Sequence, residues 1–205
     1  KTRTILIPLI VFNVPLAIAA YFIQSRQLLA HDFTLQLYPF NLEVWANAVL
    51  GLFASPINYP LNFLRDLFVL SLLSPIIGLL VRRSPLLGFL VVFVTFWFNL
   101  DGELIQRNVM PIVFCLGAIA AAHDWNLTKL DRFAVPFLLV FLLFCVLIVA
   151  FEIESRNYLR LLSPLLLWPA ASLLSNNRVG DWLASLSKYS FLTFLTHGPL
   201  LLLAS

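Results

Sequence analysis

Long apolar runs alternate with short polar breaks along the whole chain. Seven runs stand out, over about residues 5–23, 60–81, 86–99, 109–122, 133–151, 158–174 and 189–204. They are too long for strands and lack a period of two, so they read as helices. Crossing about 30 Å of hydrocarbon takes about 20 helical residues, with about 17 near the minimum. The pattern predicts an all-α, polytopic transmembrane helix bundle with about seven membrane helices. The third and fourth runs are short. They either extend into their flanks or sit inside the bundle, where broken helices are tolerated. A further stretch, Leu42–Ala54, is apolar but short and is followed by Pro56 and Pro60. It reads as a re-entrant or interfacial helix.

The breaks carry Arg82-Arg83-Ser84-Pro85, Asp101-Gly102-Glu103, His123-Asp124-Trp125-Asn126 and Ser175-Asn176-Asn177. No internal repeat shows, and residues 1–205 read as a single domain. The chain opens on Lys1 and has its single Met at position 110, which reads as a piece of a longer membrane protein, incomplete at the N-terminus and open to a further helix after Ser205.

Composition supports a lipid solvent. Hydrophobic residues make up 61% and charged residues 11% of the 205, and 19 Phe outnumber the 10 Asp and Glu. Soluble domains carry about 25% charge, so a soluble fold would lack the polar residues to cover its surface. The net charge of +3 is too small and dispersed to indicate nucleic acid. Cys115 and Cys145 lie in separate apolar runs with no CxxC or Cys/His cluster, so no metal site is expected and both thiols should be free.

Basic residues set the orientation. If Lys1 is cytoplasmic and each run crosses, Lys1, Arg3, Arg82, Arg83, Lys129, Arg132, Arg178 and Lys188 fall inside, and Arg26, Arg107, Arg156 and Arg160 outside. The positive-inside rule favours that arrangement. Trp45, Trp97, Trp125 and Trp182 lie near segment ends, as an interfacial aromatic belt requires.

Within a run, polar residues are expensive and therefore informative. In Pro60-Leu61-Asn62-Phe63-Leu64-Arg65-Asp66-Leu67, Pro60 suits the first turn of a helix. Asn62, Arg65 and Asp66 then share one face at i, i+3, i+4. Adjacent residues project about 100° apart, so Arg65 and Asp66 need not touch; Asn62 or another helix can join them. The bland reading is a pair that fixes packing. In the last run Ser190, Thr193 and His197 form one stripe, with His197 close to mid-membrane. A neutral histidine bonded to a hydroxyl competes there with a proton-handling or substrate-binding one. Ser71, Ser74 and Ser163 stand isolated and should bond back to the preceding turn.

Four segments resemble the membrane acyltransferase-3 family. Pro60-Leu-Asn-Phe-Leu-Arg-Asp-Leu-Phe-Val69, followed by Leu73-Ser-Pro75 and Arg82-Arg83, is similar to the family's PLWFLRDLFV…SP…RR. Arg3-Thr-Ile-Leu-Ile-Pro8 with Asn13, Phe114-Cys-Leu-Gly-Ala118 and Tyr189-Ser-Phe…Phe194-Leu-Thr-His197-Gly-Pro-Leu200 match in family order. The resemblance implies an integral-membrane enzyme of about ten helices. It moves an acyl group, commonly acetyl, from cytoplasmic acyl-CoA to a hydroxyl of an extracytoplasmic glycan or glycolipid. It implies helices before Lys1 that bring an Arg/His pair, the His acting as base, so that residues 1–205 alone should be inactive. It places this end of the chain at the cytoplasmic face of the inner membrane.

Carried over residue by residue, Asp66 is catalytic or acceptor-orienting and Arg65 is its partner. Lys1 and Arg3, with Arg82 and Arg83, would receive the CoA phosphates, which suit clustered cations. The acceptor would enter from the outer side past Asp101, Glu103, Glu152 and Glu154, toward Asn62 and His197. Asn62 stands where the family usually has Trp, and Leu9 where it often has Tyr; the first could alter the acceptor pocket. Two other classes remain in view. A proton-coupled transporter or flippase could use Asp66 and His197, though the chain lacks the matching halves of an inverted repeat. A non-catalytic scaffold has no use for Arg65 and Asp66 together in the membrane.

The orientation is testable with single cysteines and an impermeant maleimide in intact cells. Ser155→Cys and Gln106→Cys should label from outside and Ser84→Cys and Ser187→Cys should not; labelling of Ser84→Cys from outside would reverse the assignment.

Overall fold

In the computed structural model, residues 2–27, 35–102, 104–152, 157–175 and 177–204 are described. They form eight α-helices: α1 (Thr2–Ser25), α2 (Leu42–Leu50), α3 (Asn62–Arg83), α4 (Pro85–Trp97), α5 (Val109–Ala122), α6 (Ala134–Ala150), α7 (Asn157–Ala170) and α8 (Arg178–Ala204). Short 3₁₀ turns precede α3 and α6 and follow α7. There is no strand among the described residues. The helices divide into two compact units. One holds residues 1–75, 101–107 and 189–205, and the other residues 76–100 and 108–188.

The first unit is organised by capping and side-chain anchoring. Asn41 caps α2, its Oδ1 accepting from the amides of Glu43 (2.9 Å) and Val44 (3.3 Å). Gly51 ends the helix in the left-handed region at φ 65°, with its N–H on the Asn47 carbonyl. Asn47 Oδ1 then accepts from Phe53 and Ala54, each at 2.8 Å, and folds the chain back after the cap. At nine residues α2 is far too short to cross a membrane, as the re-entrant or interfacial reading requires. Along α1, Gln24 Oε1 accepts from Leu37 N (2.7 Å) and Tyr38 N (3.1 Å), pinning the segment that leads into α2. Two apolar clusters fill this unit. Leu9, Leu61, Leu64 and Leu195 join α1, α3 and α8; Ala17, Ala20, Leu37 and Ala48 let α1 and α2 approach closely.

In the second unit α4 packs on α5 and α6 on α7. Phe89, Phe93 and Trp97 run along α4, with Tyr158 of α7 against Trp97. Cys115 is buried and Cys145 half-buried, both as free thiols. Ser71, Ser74 and Ser163 bond back to carbonyls three residues earlier, as expected.

Two expectations need correction. Among the described residues, three helices are long and apolar enough to cross a membrane, Arg3–Ser25, Tyr59–Arg83 and Leu127–Ala150. A fourth span arises only if Tyr158–Leu174 and Arg178–His197, bent by 117°, count as one. The expected seven fails on length. Helices α4 and α5 gain nothing from their flanks, and their 13 and 14 residues give about 20 Å each against about 30 Å of hydrocarbon. Asn99 and Asp101 follow α4, and Asn108 precedes α5, so polar residues bound both apolar runs. The second correction concerns α8. It starts at Arg178, well before the apolar run at 189, because Asn177 Oδ1 accepts the Gly180 amide and nucleates a helix through polar residues.

The bend between α7 and α8 depends on Gly180. A Cβ there would lie 1.8 Å from the Leu174 carbonyl oxygen, a backbone atom that cannot swing away. At Gly117, inside α5, a Cβ would meet nothing within 4 Å. Gly180→Ala should therefore cost about 1–3 kcal/mol through forced displacement. Gly117→Ala should be neutral or stabilise by up to about 1 kcal/mol. Thermal unfolding in detergent checks the pair; equal midpoints would contradict the close approach.

Candidate functional site

The site grows from the start of α3. The 3₁₀ turn Tyr59–Leu61 places Asn58 before it and Asn62 at the first position of the helix. Asn62, Arg65 and Asp66 are all buried. The shared face predicted from spacing is thus real, and it faces protein.

Arg65 and Asp66 do touch. Arg65 Nη1 donates to Asp66 Oδ1 at 2.8 Å, with 7% of the arginine side chain and none of the aspartate exposed. The spacing left open whether they meet directly or through Asn62 or another helix, and they meet directly. The long arginine side chain folds back far enough to reach its neighbour, despite the angle between the two Cβ directions. Each partner also bonds to backbone. Arg65 Nε donates to Gly51 O (2.8 Å), Nη2 to Leu52 O (3.4 Å) and Nη1 also to Leu104 O. Asp66 Oδ1 accepts from Gln106 N (3.2 Å) and Oδ2 from Arg107 N (3.1 Å). The pair therefore clasps two separate stretches onto α3, the turn after α2 and the 104–107 segment. A charge buried this fully persists only with several such partners.

Gly51 is needed here twice. Its positive φ suits glycine, and a Cβ would press on the Pro56 ring at 3.0 Å and on the Arg65 stem at 3.3 Å. The 101–107 turn is further held by Asp101, whose Oδ2 accepts the Ile105 amide at 3.0 Å.

A second polar thread runs beside the clasp. Asn13 of α1 donates to Val49 O (2.8 Å) and accepts the Asn58 amide (3.2 Å). Asn58 Nδ2 donates to Leu195 O in α8 (3.1 Å). Asn62 Nδ2 donates to Ser55 Oγ (2.6 Å), which in turn donates to Gln106 Oε1 (3.4 Å). His197 lies two residues beyond Leu195. Its Nδ1 sits 2.8 Å from Phe194 O and 3.3 Å from Thr193 O, both acceptors. Nδ1 therefore donates to its own helix and Nε2 is left for another partner. The hydroxyl partner expected for His197 is replaced by its own backbone.

None of the remaining candidates has a hydrogen bond to Arg65 or Asp66 among the described residues. Arg3 is exposed in the first turn of α1, and Arg82 and Arg83 are exposed in the last turn of α3, where their charge suits the helix dipole. Glu152 is exposed after α6 with φ 48°. Lys1 and Glu103, with Glu154, lie outside the described residues. Sequence reasoning passed over Ser55, Asn58 and Gln106, which lie between the apolar runs. A signal existed only for Gly51, a glycine closing an apolar stretch. The carbonyls of Gly51, Leu52 and Leu104 carry no side-chain signature at all.

Comparison with known proteins agrees with the motif. A model for an acyltransferase domain, that of the acyltransferase-3 family, matches residues 1–205. The chain is 32% identical over 214 residues to the succinoglycan biosynthesis protein ExoH of Rhizobium meliloti (strain 1021), an alignment covering 99% of this chain and 58% of that protein. The chain thus spans under two thirds of its relative's length. No solved structure matches. The long apolar helices and the full-length family match make this an integral membrane protein, and the chain belongs to the acyltransferase-3 family.

Proposed function

We propose that the protein containing this chain moves an acyl group, acetyl in the simplest case, from cytoplasmic acyl-CoA to a hydroxyl of an extracytoplasmic glycan or glycolipid. The observation carrying this reading is the similarity, over nearly the whole chain, to a protein named for biosynthesis of a polysaccharide. In the reaction the acceptor oxygen attacks the thioester carbonyl. The hydroxyl proton passes to a base, the carbon–sulfur bond breaks, and the CoA thiolate leaves and takes up a proton. A bundle poor in water would limit hydrolysis of the thioester.

The residues divide by role. Lys1, Arg3, Arg82 and Arg83 receive the CoA phosphates at the cytoplasmic face of the inner membrane, where the Lys1 end lies. Glu103 and Glu152 lie on the acceptor side, with Asn62 and His197 deeper. His197 offers Nε2 as an acceptor for a substrate hydroxyl, because Nδ1 is engaged by its own helix. Arg65 and Asp66 act as positioning residues. Their polar atoms are directed at protein backbone, so their contribution is to hold the 104–107 segment and the turn after α2 in place.

The test uses the complete protein in nanodiscs, with labelled acetyl-CoA or succinyl-CoA and the cognate surface glycan. Transfer is expected, and its absence with both donors in folded protein would overturn the reading. Arg65→Lys keeps the charge but loses the planar fork that spans three carbonyls and Asp66. It should lower transfer by about tenfold or more, while Arg82→Lys, at an exposed phosphate contact, should stay within about threefold. Arg65→Lys with wild-type turnover would remove the clasp from the mechanism.

A further inference from the structure

The first three turns of α8, residues 178–188 of the second unit, present two chemistries on one cylinder. Val179, Trp182, Leu183 and Leu186 recur at i, i+3, i+4 and i+7 and make one apolar face. Arg178, Asp181, Ser185 and Lys188, at i, i+3, i+7 and i+10, line another. Among the described residues nothing buries either face. Every residue from Asp181 to Lys188 is exposed, and the four apolar side chains keep between 41% and 60% of their surface. Helix α6 is built differently. Its residues 134–150 are apolar on every side, which suits hydrocarbon all round. Residues 178–188 suit hydrocarbon on one side and water on the other.

The local fold sets the direction of this segment. Asn177 accepts the Gly180 amide on Oδ1 (2.8 Å) and the Asp181 amide on its carbonyl oxygen (3.1 Å), which starts the helix. Gly180 lies so close to the Leu174 carbonyl that the chain turns sharply, and α8 departs at 117° to the preceding segment, Tyr158–Leu174. That segment contains α7, which packs on α6, a helix long enough to cross the membrane. A helix turned this far from the neighbour of a crossing helix runs nearer to the membrane plane than to its normal.

We infer that residues 178–188 form an in-plane amphipathic helix seated at the headgroup boundary of the leaflet on the Arg178 side. Val179, Trp182, Leu183 and Leu186 sink toward the acyl chains, while Arg178 and Lys188 stay level with the lipid phosphates. Such a boundary meets both faces at once, with the apolar one about 5–10 Å into it. Another protein helix would satisfy only the apolar face. Trp182 brings an indole, a side chain enriched at this depth. Arg178 and Lys188 stand at the two ends of the polar face, about 15 Å apart, so anionic headgroups attract both ends to the same depth. The anchor holds the α7–α8 turn at the membrane surface. It goes beyond the transfer reaction and does not depend on it.

The experiment reads depth and solvent on each face. The complete protein, with its other reactive cysteines replaced, is spin-labelled at single sites in nanodiscs of phosphatidylcholine and phosphatidylglycerol. Collisions with oxygen, which concentrates in lipid, are compared with collisions with a water-soluble nickel complex. Leu183→Cys and Leu186→Cys report on the apolar face, and Asp181→Cys and Ala184→Cys on the other side of the helix. The oxygen-to-nickel ratio should be about threefold or more higher at the first pair than at the second. Equal ratios on both sides would overturn the inference: high values mean a segment crossing the hydrocarbon, and low values a helix in water. Labels at Leu183 and Leu186 shielded from both reagents would overturn it too, because another helix would then cover the face. If Leu183→Cys does not fold, Val179→Cys reports on the same face.

Discussion

A buried arginine–aspartate pair must find most of its hydrogen-bond partners within the protein. Arg65 and Asp66 do so by recruiting backbone from two stretches that have little regular structure of their own. Neither the turn after α2 nor the 104–107 segment has a helical ladder to fix it. Their carbonyls and amides complete the solvation of two charges on α3, beside the bonds that Asn47 and Asp101 make to the same stretches. The dependence is reciprocal. Removing one partner leaves an uncompensated buried charge, at about 3–5 kcal/mol, and frees both segments together. The Asn62–Ser55–Gln106 thread hangs on the same two stretches, so its geometry is set by the clasp.

That arrangement relates the fold to the chemistry proposed for it. The first unit carries a polar interior of Asn13, Asn47, Asn58, Asn62, Arg65 and Asp66. The second is apolar, and much of its α4 and α6 is exposed, as a lipid-facing surface requires. Polar groups at depth are tolerated only when they are paired or serve a ligand. The clasp illustrates the first condition.

The sequence carried much of this and missed the rest for definite reasons. Helix α5 runs over Val109–Ala122, where the apolar run lies, because polar residues bound it on both sides. The i, i+3, i+4 spacing put Asn62, Arg65 and Asp66 on one buried face. What that face meets was not legible, because its partners are mainly main-chain atoms of Gly51, Leu52, Leu104, Gln106 and Arg107, and main-chain atoms are the same for any side chain. The span count failed because apolar composition alone does not make a helix long enough to cross; α4 and α5 are apolar throughout and still short. The start of α8 was missed because a helix capped by Asn177 needs no apolar stripe in its first turns.

The most direct test of the clasp is amide hydrogen exchange at Gln106 and Arg107 in the complete protein, wild type against Asp66→Asn. Both amides donate to the Asp66 carboxylate, and an asparagine cannot accept from both while its own N–H groups point into the same site. Exchange at these two amides should speed up by about 100-fold or more, corresponding to about 3 kcal/mol of lost local stability, while the interior of α1 keeps its protection. Unchanged protection at Gln106 and Arg107 in folded Asp66→Asn protein would contradict the account, because the segment would then be held by something other than the buried pair.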